Sequence, residues 1–109
     1  MTPAYIVFIK EKTIDAAELD NYRAKVGKSF EGHLLEFCAT YGRQEVLEGA
    51  PAEGMVLLKF PDWDSAKRWY HGPAYQEAAR HRFAGAVYQA ILVEGRASEP
   101  APAEDNDDR

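Results

Sequence analysis

The sequence holds a single cysteine, Cys38, so no disulfide can form within the chain and a reducing cytoplasm is the expected setting. It also lacks a long apolar run. The opening Met1-Thr2-Pro3 leads into Tyr5–Ile9, too short for a signal-peptide core or a membrane span, so a soluble protein is expected. Basic charge is scarce: 13 Lys and Arg stand against 18 Asp and Glu, a formal net charge of −5. That balance argues against nucleic acid or an anionic membrane as partner. No phosphate-cradling loop, nucleophile elbow or Ser-His-Asp order is present. The three histidines form no His-x-His or His-x-x-x-His pair, so neither a metal nor a cofactor is expected.

What is present is a strand–helix–strand pattern that occurs twice. Ala4–Lys10 and Gly54–Phe60 are short β-type runs. After the first, Asp15 with Glu18 three residues on makes a capping-box start. Leu19, Tyr22, Val26 and Phe30 then form one helical stripe that ends near Ser29 or Phe30. Gly32 supplies the turn into a second strand, Leu34–Tyr41, which a bulge at Gly42 extends through Gln44–Glu48. After Gly54–Phe60, Asp62 or Asp64 caps a helix that Gly72-Pro73 interrupts, with Pro73 opening the continuation. A last strand covers roughly Val87–Glu94. The order βαββαβ predicts an α+β, ferredoxin-like antiparallel sheet with two helices on one face. Residues 1–95 form this domain. Residues 96–109 carry two arginines against five carboxylates, read as a disordered acidic Ala/Pro-rich tail, which leaves −2 for the body.

A body this small buries only about two thirds of its unfolded surface. In strands one to three one register is wholly apolar and the other contains Lys10, Glu36 and Cys38, or Lys59. The wholly apolar registers are expected to face the helices. The mixed registers then form a half-apolar outer face, which packing against a second copy would close into a dimeric barrel. Strands two and three are expected to be antiparallel neighbours, with Glu36 opposite Lys59. The RNA-recognition fold shares this strand order, but its third strand carries exposed aromatics and basic residues, whereas Gly54–Phe60 is aliphatic with one lysine.

Several residues together resemble the family known as domain of unknown function 1330 (DUF1330), in the dimeric α+β barrel superfamily. They are Tyr5-Ile6-Val7, Tyr22, Gly32, Glu45–Gly49, Phe60-Pro61, Ala66, Trp69, Pro73-Ala74-Tyr75-Gln76, Arg82 and Glu94-Gly95. The resemblance spans about residues 4–95. It departs from the family pattern at His33, Gly72 and Glu94, where glycine, serine and aspartate are usual. It implies a ferredoxin-like dimeric barrel and no particular activity. Related barrels include cofactor-free monooxygenases, haem-degrading enzymes, lactone isomerases and binding proteins.

Arg82 is the sharpest candidate, because the family motif places an arginine there and a guanidinium suits a carboxylate or enolate oxygen. The competing reading is a structural salt bridge to Glu77 or Glu94. Tyr75 and Tyr22 are candidate hydrogen-bonding residues of a cleft between helices and sheet, and Trp69 a candidate wall. For Trp69 and Tyr22, core packing is the favoured alternative. His33 is a candidate general base on its ordinary titration range alone. Cys38 is expected to be a buried, inert thiol. The function expected is binding of a small acidic or enolisable molecule, as a cofactor-free enzyme or as a non-catalytic binding or assembly module. A single histidine as a haem ligand is the weaker alternative.

Overall fold

The computed structural model describes residues 2–97, so the tail expected to be disordered lies almost wholly outside the described residues. Strand β1 (Ala4–Thr13) leads to helix α1 (Ala16–Val26), a 3-10 turn (Gly27–Phe30) and strand β2 (Glu36–Thr40). Strand β3 (Gly54–Phe60), helices α2 (Trp63–His71) and α3 (Pro73–Gly85), and strand β4 (Ala86–Glu94) complete the second half. The sheet order is β2-β3-β1-β4 with every neighbouring pair antiparallel. This is the ferredoxin-like α+β fold that the element order predicts.

The helix boundaries follow their caps. Asp15 accepts from the Ala17 and Glu18 amides and starts α1. Only half of a capping box forms, because the Glu18 side chain turns away to His81 on α3. Asp62, rather than Asp64, caps α2 through the Ser65 amide. Gly72 is extended at φ −68°, ψ 154°, which ends α2 and lets Pro73 open α3. At the far end of α3 a side chain on Gly85 would come within 2.8 Å of Leu19, so glycine sets how closely α1 approaches α3.

Two sheet predictions are corrected. In β1 the residues facing the helices are Ile6 and Phe8, in the register that ends in Lys10, while Tyr5, Val7 and Ile9 face outward. Register decides this. Ile6 lies opposite Leu58 and Leu92, Phe8 opposite Val56 and Ala90, and a one-residue slip would turn all of them outward. Lys10 is tolerated because it sits where the pairing of β1 with β3 ends, 4.0 Å from Glu53 and over the Tyr41 ring. Strand β2 is also shorter than expected, residues 41–53 form an irregular connection, and the register shift falls between Phe37 and Ala39 rather than at Gly42. Cys38, at that shift, is exposed, not buried. Glu36 does stand opposite Lys59, though no ion pair joins them.

The core lies between the sheet and the helices. Ala4, Ile6, Phe8, Leu58 and Phe60 meet Ala66, Trp69, Tyr75 and Ala79, all almost fully buried. Trp69 anchors this cluster. Its ring stacks on Phe30 at 5.3 Å, and its Nε1–H donates to Ser29 Oγ at 3.1 Å. Ser29 is itself buried, and its hydroxyl donates to the Val26 carbonyl.

Candidate functional site

Tyr75 and Arg82 lie seven residues apart on α3, two helical turns, and therefore on one face. Both are buried, Tyr75 completely and Arg82 to 3% exposure. Arg82 Nε–H donates to Tyr75 Oη at 3.1 Å, and Tyr75 Oη lies 3.0 Å from Tyr22 Oη on α1. The direction of this thread follows from chemistry. A guanidinium only donates, so Tyr75 accepts from Arg82. The one acceptor near the Tyr75 proton is Tyr22, so Tyr75 donates onward and the Tyr22 proton is left free.

The free proton meets a cavity of about 230 Å³ between α1, the 3-10 turn and the sheet. Its walls are Phe8, Leu19, Val26, Phe30, Leu58 and Trp69, with Tyr22, Thr40, Tyr41 and Tyr88 among the polar groups. Burial, then the adjacent Tyr75, pushes the Tyr22 phenol far above its ordinary value. Burial likewise raises Tyr75, with Arg82 opposing it, and burial followed by the Tyr41 hydrogen bond raises Tyr88. These hydroxyls are therefore donors throughout the physiological range.

Tyr41 guards one side of the cavity in an unusual conformation. Its φ is +52°, a left-handed backbone rare for aromatic residues. Its ring packs against Gly54, where any Cβ would come within 2.6 Å, and its hydroxyl meets Tyr88 Oη. Strain of this kind persists only where surroundings enforce it, here the Tyr41 amide bonded to the Met55 carbonyl at 2.8 Å.

Of the candidates, Tyr22, Tyr75 and Arg82 form one hydrogen-bonded unit, and Trp69 is both core and cavity wall. His33 lies in the turn before β2 and does not line the cavity. The salt bridge from Arg82 to Glu77 or Glu94, the competing reading of that residue, is not formed; Glu77 pairs with Arg80 instead. His81 is not a surface residue: its Nδ1 bonds Glu18 Oε1 at 2.6 Å and its Nε2 is buried without a partner. Sequence reasoning missed Tyr70, Tyr88 and Ser29. A signal did exist for Tyr88, which shares the inward register of β4 with Ala90 and Leu92.

The description "Domain of unknown function (DUF1330)" matches residues 3–96. The chain belongs to the DUF1330 family. No functionally curated protein is similar to it at a significant level. Among solved structures, a protein of unknown function from Rhodopseudomonas palustris, RPA0582, is similar at 16% identity, with a TM-score of 0.66 over 88% of this chain and 84% of that chain. SnoaB, a cofactor-independent oxygenase from Streptomyces nogalater, is also 16% identical, with a TM-score of 0.59 over 93% of this chain and 100% of that one. A dimeric ferredoxin-like protein of unknown function from Bacteroides fragilis is 9% identical, with a TM-score of 0.57 over 84% and 95%. At these identities the likeness speaks for the DUF1330 fold and not for an activity.

Proposed function

We propose that this DUF1330 protein binds a small, mostly apolar organic molecule carrying one hydrogen-bond acceptor, such as a phenol or an enolisable carbonyl compound, in the cavity under α1. The observation that carries this reading is the Tyr22 hydroxyl, hydrogen-bonded to Tyr75, at the wall of a largely apolar chamber. At liquid water's share of about 30 Å³ per molecule, the chamber has room for about eight waters, or one substituted ring. Tyr75 and Arg82 stand behind Tyr22 and polarise it, so that its hydrogen bond strengthens if charge develops on the ligand oxygen. Among the described residues no carboxylate or imidazole lines the chamber, which favours binding over proton-abstracting catalysis. The experiment is a thermal-shift screen of monocyclic phenols, quinones and ketones, followed by titration of the hits. Tyr22→Phe and Tyr75→Phe are both expected to weaken them, by about fivefold for one hydrogen bond. Hits unaffected by either substitution would remove this assignment.

The working unit proposed is a homodimer joined through the outward sheet face. Tyr5, Val7, Ile9, Met55, Leu57, Ile91 and Val93 share that face, and Met55, Ile91 and Val93 are well exposed in the single chain. The Bacteroides fragilis neighbour of the same fold is described as dimeric, which supports the same arrangement here. Sedimentation should give twice the chain mass. Ile91→Lys is expected to yield monomer, and Glu36→Gln to loosen the dimer slightly; a monomeric parent protein would exclude the arrangement.

A further inference from the structure

A second cavity opens on the other side of the Phe8–Tyr88 pair, between α3 and β4, with about 380 Å³ of space. Arg82 lines it, together with Tyr70, Phe83, Tyr88 and Ala90, whereas Arg82 does not line the chamber under α1. We propose that this cavity is a separate binding site for a small carboxylate carried on an apolar or aromatic frame, with Arg82 as its anchor.

Three observations converge on it. The first is charge. Arg82 is 3% exposed, and every ion pair among the described residues leaves it out: they join Lys10 to Glu53, Arg23 to Asp20, Arg80 to Glu77 and His81 to Glu18. Buried charges are ordinarily paired, so a buried guanidinium without a carboxylate has an unmet demand. Rings meet part of it, with those of Phe8, Phe83 and Tyr88 centred within 5.1 Å of the guanidinium carbon.

The second is hydrogen bonding. Nε is committed to Tyr75, and Nη2 makes one long contact of 3.5 Å to Tyr70 Oη. Nη1 makes none. The fully buried side-chain polar atom left without a partner among the described residues is His81 Nε2, so Nη1 keeps an open side, and the cavity is the space Arg82 borders. The third is Tyr70. Its oxygen accepts from Arg82, which leaves its own proton to give. Nη1–H and the Tyr70 O–H thus offer two donors to the two oxygens of one carboxylate, between walls of Phe83, Val87 and Ala90 that suit an apolar body. This site does not rest on the occupancy of the chamber under α1.

The test titrates the full chain with benzoate, phenylacetate and their neutral amides, followed by heteronuclear NMR, with inorganic phosphate as a second anion. The acids are expected to bind at least about tenfold more tightly than the amides, since the bond to a charged partner is the one in question. Tyr70→Phe should weaken benzoate by about fivefold. Ala90→Leu, which fills the cavity and leaves the guanidinium in place, should abolish binding without unfolding the chain. Amides that bind as well as acids, phosphate that binds as well as benzoate, or an Ala90→Leu protein that binds benzoate like the parent would overturn the proposal. A chain that binds benzoate but none of the phenols refutes only the reading for the chamber under α1.

Discussion

The helices of the second half-repeat bury Ala66, Trp69, Tyr75, Ala78, Ala79, Arg82 and Gly85, whereas α1 of the first buries Leu19 alone. Both halves follow one plan of strand, capped helix and strand, yet their helices meet the sheet differently. In the second, α2 packs on β1 and β3 through an aromatic cluster centred on Trp69. The first stands off, so that Tyr22, Val26 and Phe30 are only half-buried and a chamber remains beneath them. Were α1 packed on the sheet as closely as α2, the chamber beneath it would be filled. The second half supplies the rigid wall against which that chamber forms.

Substitutions in the two halves sharpen this contrast. Trp69→Ala should cost the most, about 3–5 kcal/mol of unfolding free energy in urea, because it empties the centre of the cluster. Val26→Ala, on the chamber wall, should cost about 1 kcal/mol; equal losses would erase the distinction between the halves. Gly85→Ala tests the seam between them. Overpacking against Leu19, set against the helix-propensity gain, should leave a net loss of about 1–2 kcal/mol.

Ser29→Ala probes a polar bond that crosses from the first half into the core. It leaves the Trp69 indole N–H without an acceptor and should cost about 1–2 kcal/mol, readable as a fall in melting temperature and a change in Trp fluorescence. The smallest effect belongs to pH. The hydrogen bond from His81 holds the Glu18 carboxyl below its ordinary 4.5 in the folded chain. Its contribution is therefore complete above that value and is lost as pH falls through the lowered one. The stability difference between the parent and Glu18→Gln, followed by urea titration, should accordingly shrink as pH drops below 4.5.

Element order, both helix caps at aspartate and the split at Gly72-Pro73 were all readable from the chain, because each rests on local chemistry that a few neighbouring residues determine. The facing of β1 was not. Both its registers are nearly all apolar, and the choice is made by alignment with Leu58 and Leu92 on other strands, which no local pattern encodes. The same holds for the site. Tyr22, Tyr75 and Arg82 stood out by residue type and position, but their connection depends on α1 crossing α3 at Gly85. Tyr70 escaped notice because its neighbour Trp69 explained the helix's inner face on its own, and Cys38 was misplaced because the strand slips a register at that residue.

The guanidinium of Arg82 has one more consequence, and it concerns acidity. Unlike an amine, it does not surrender its proton under any condition in which a protein stays folded, however dry its surroundings. A lysine at that depth would be driven toward neutrality by burial. The positive end of the Tyr75–Tyr22 thread is therefore permanent. Any acid dependence of a guest held there would be written by the guest's own ionisation, because the Arg82 end of the thread keeps its charge wherever the chain stays folded.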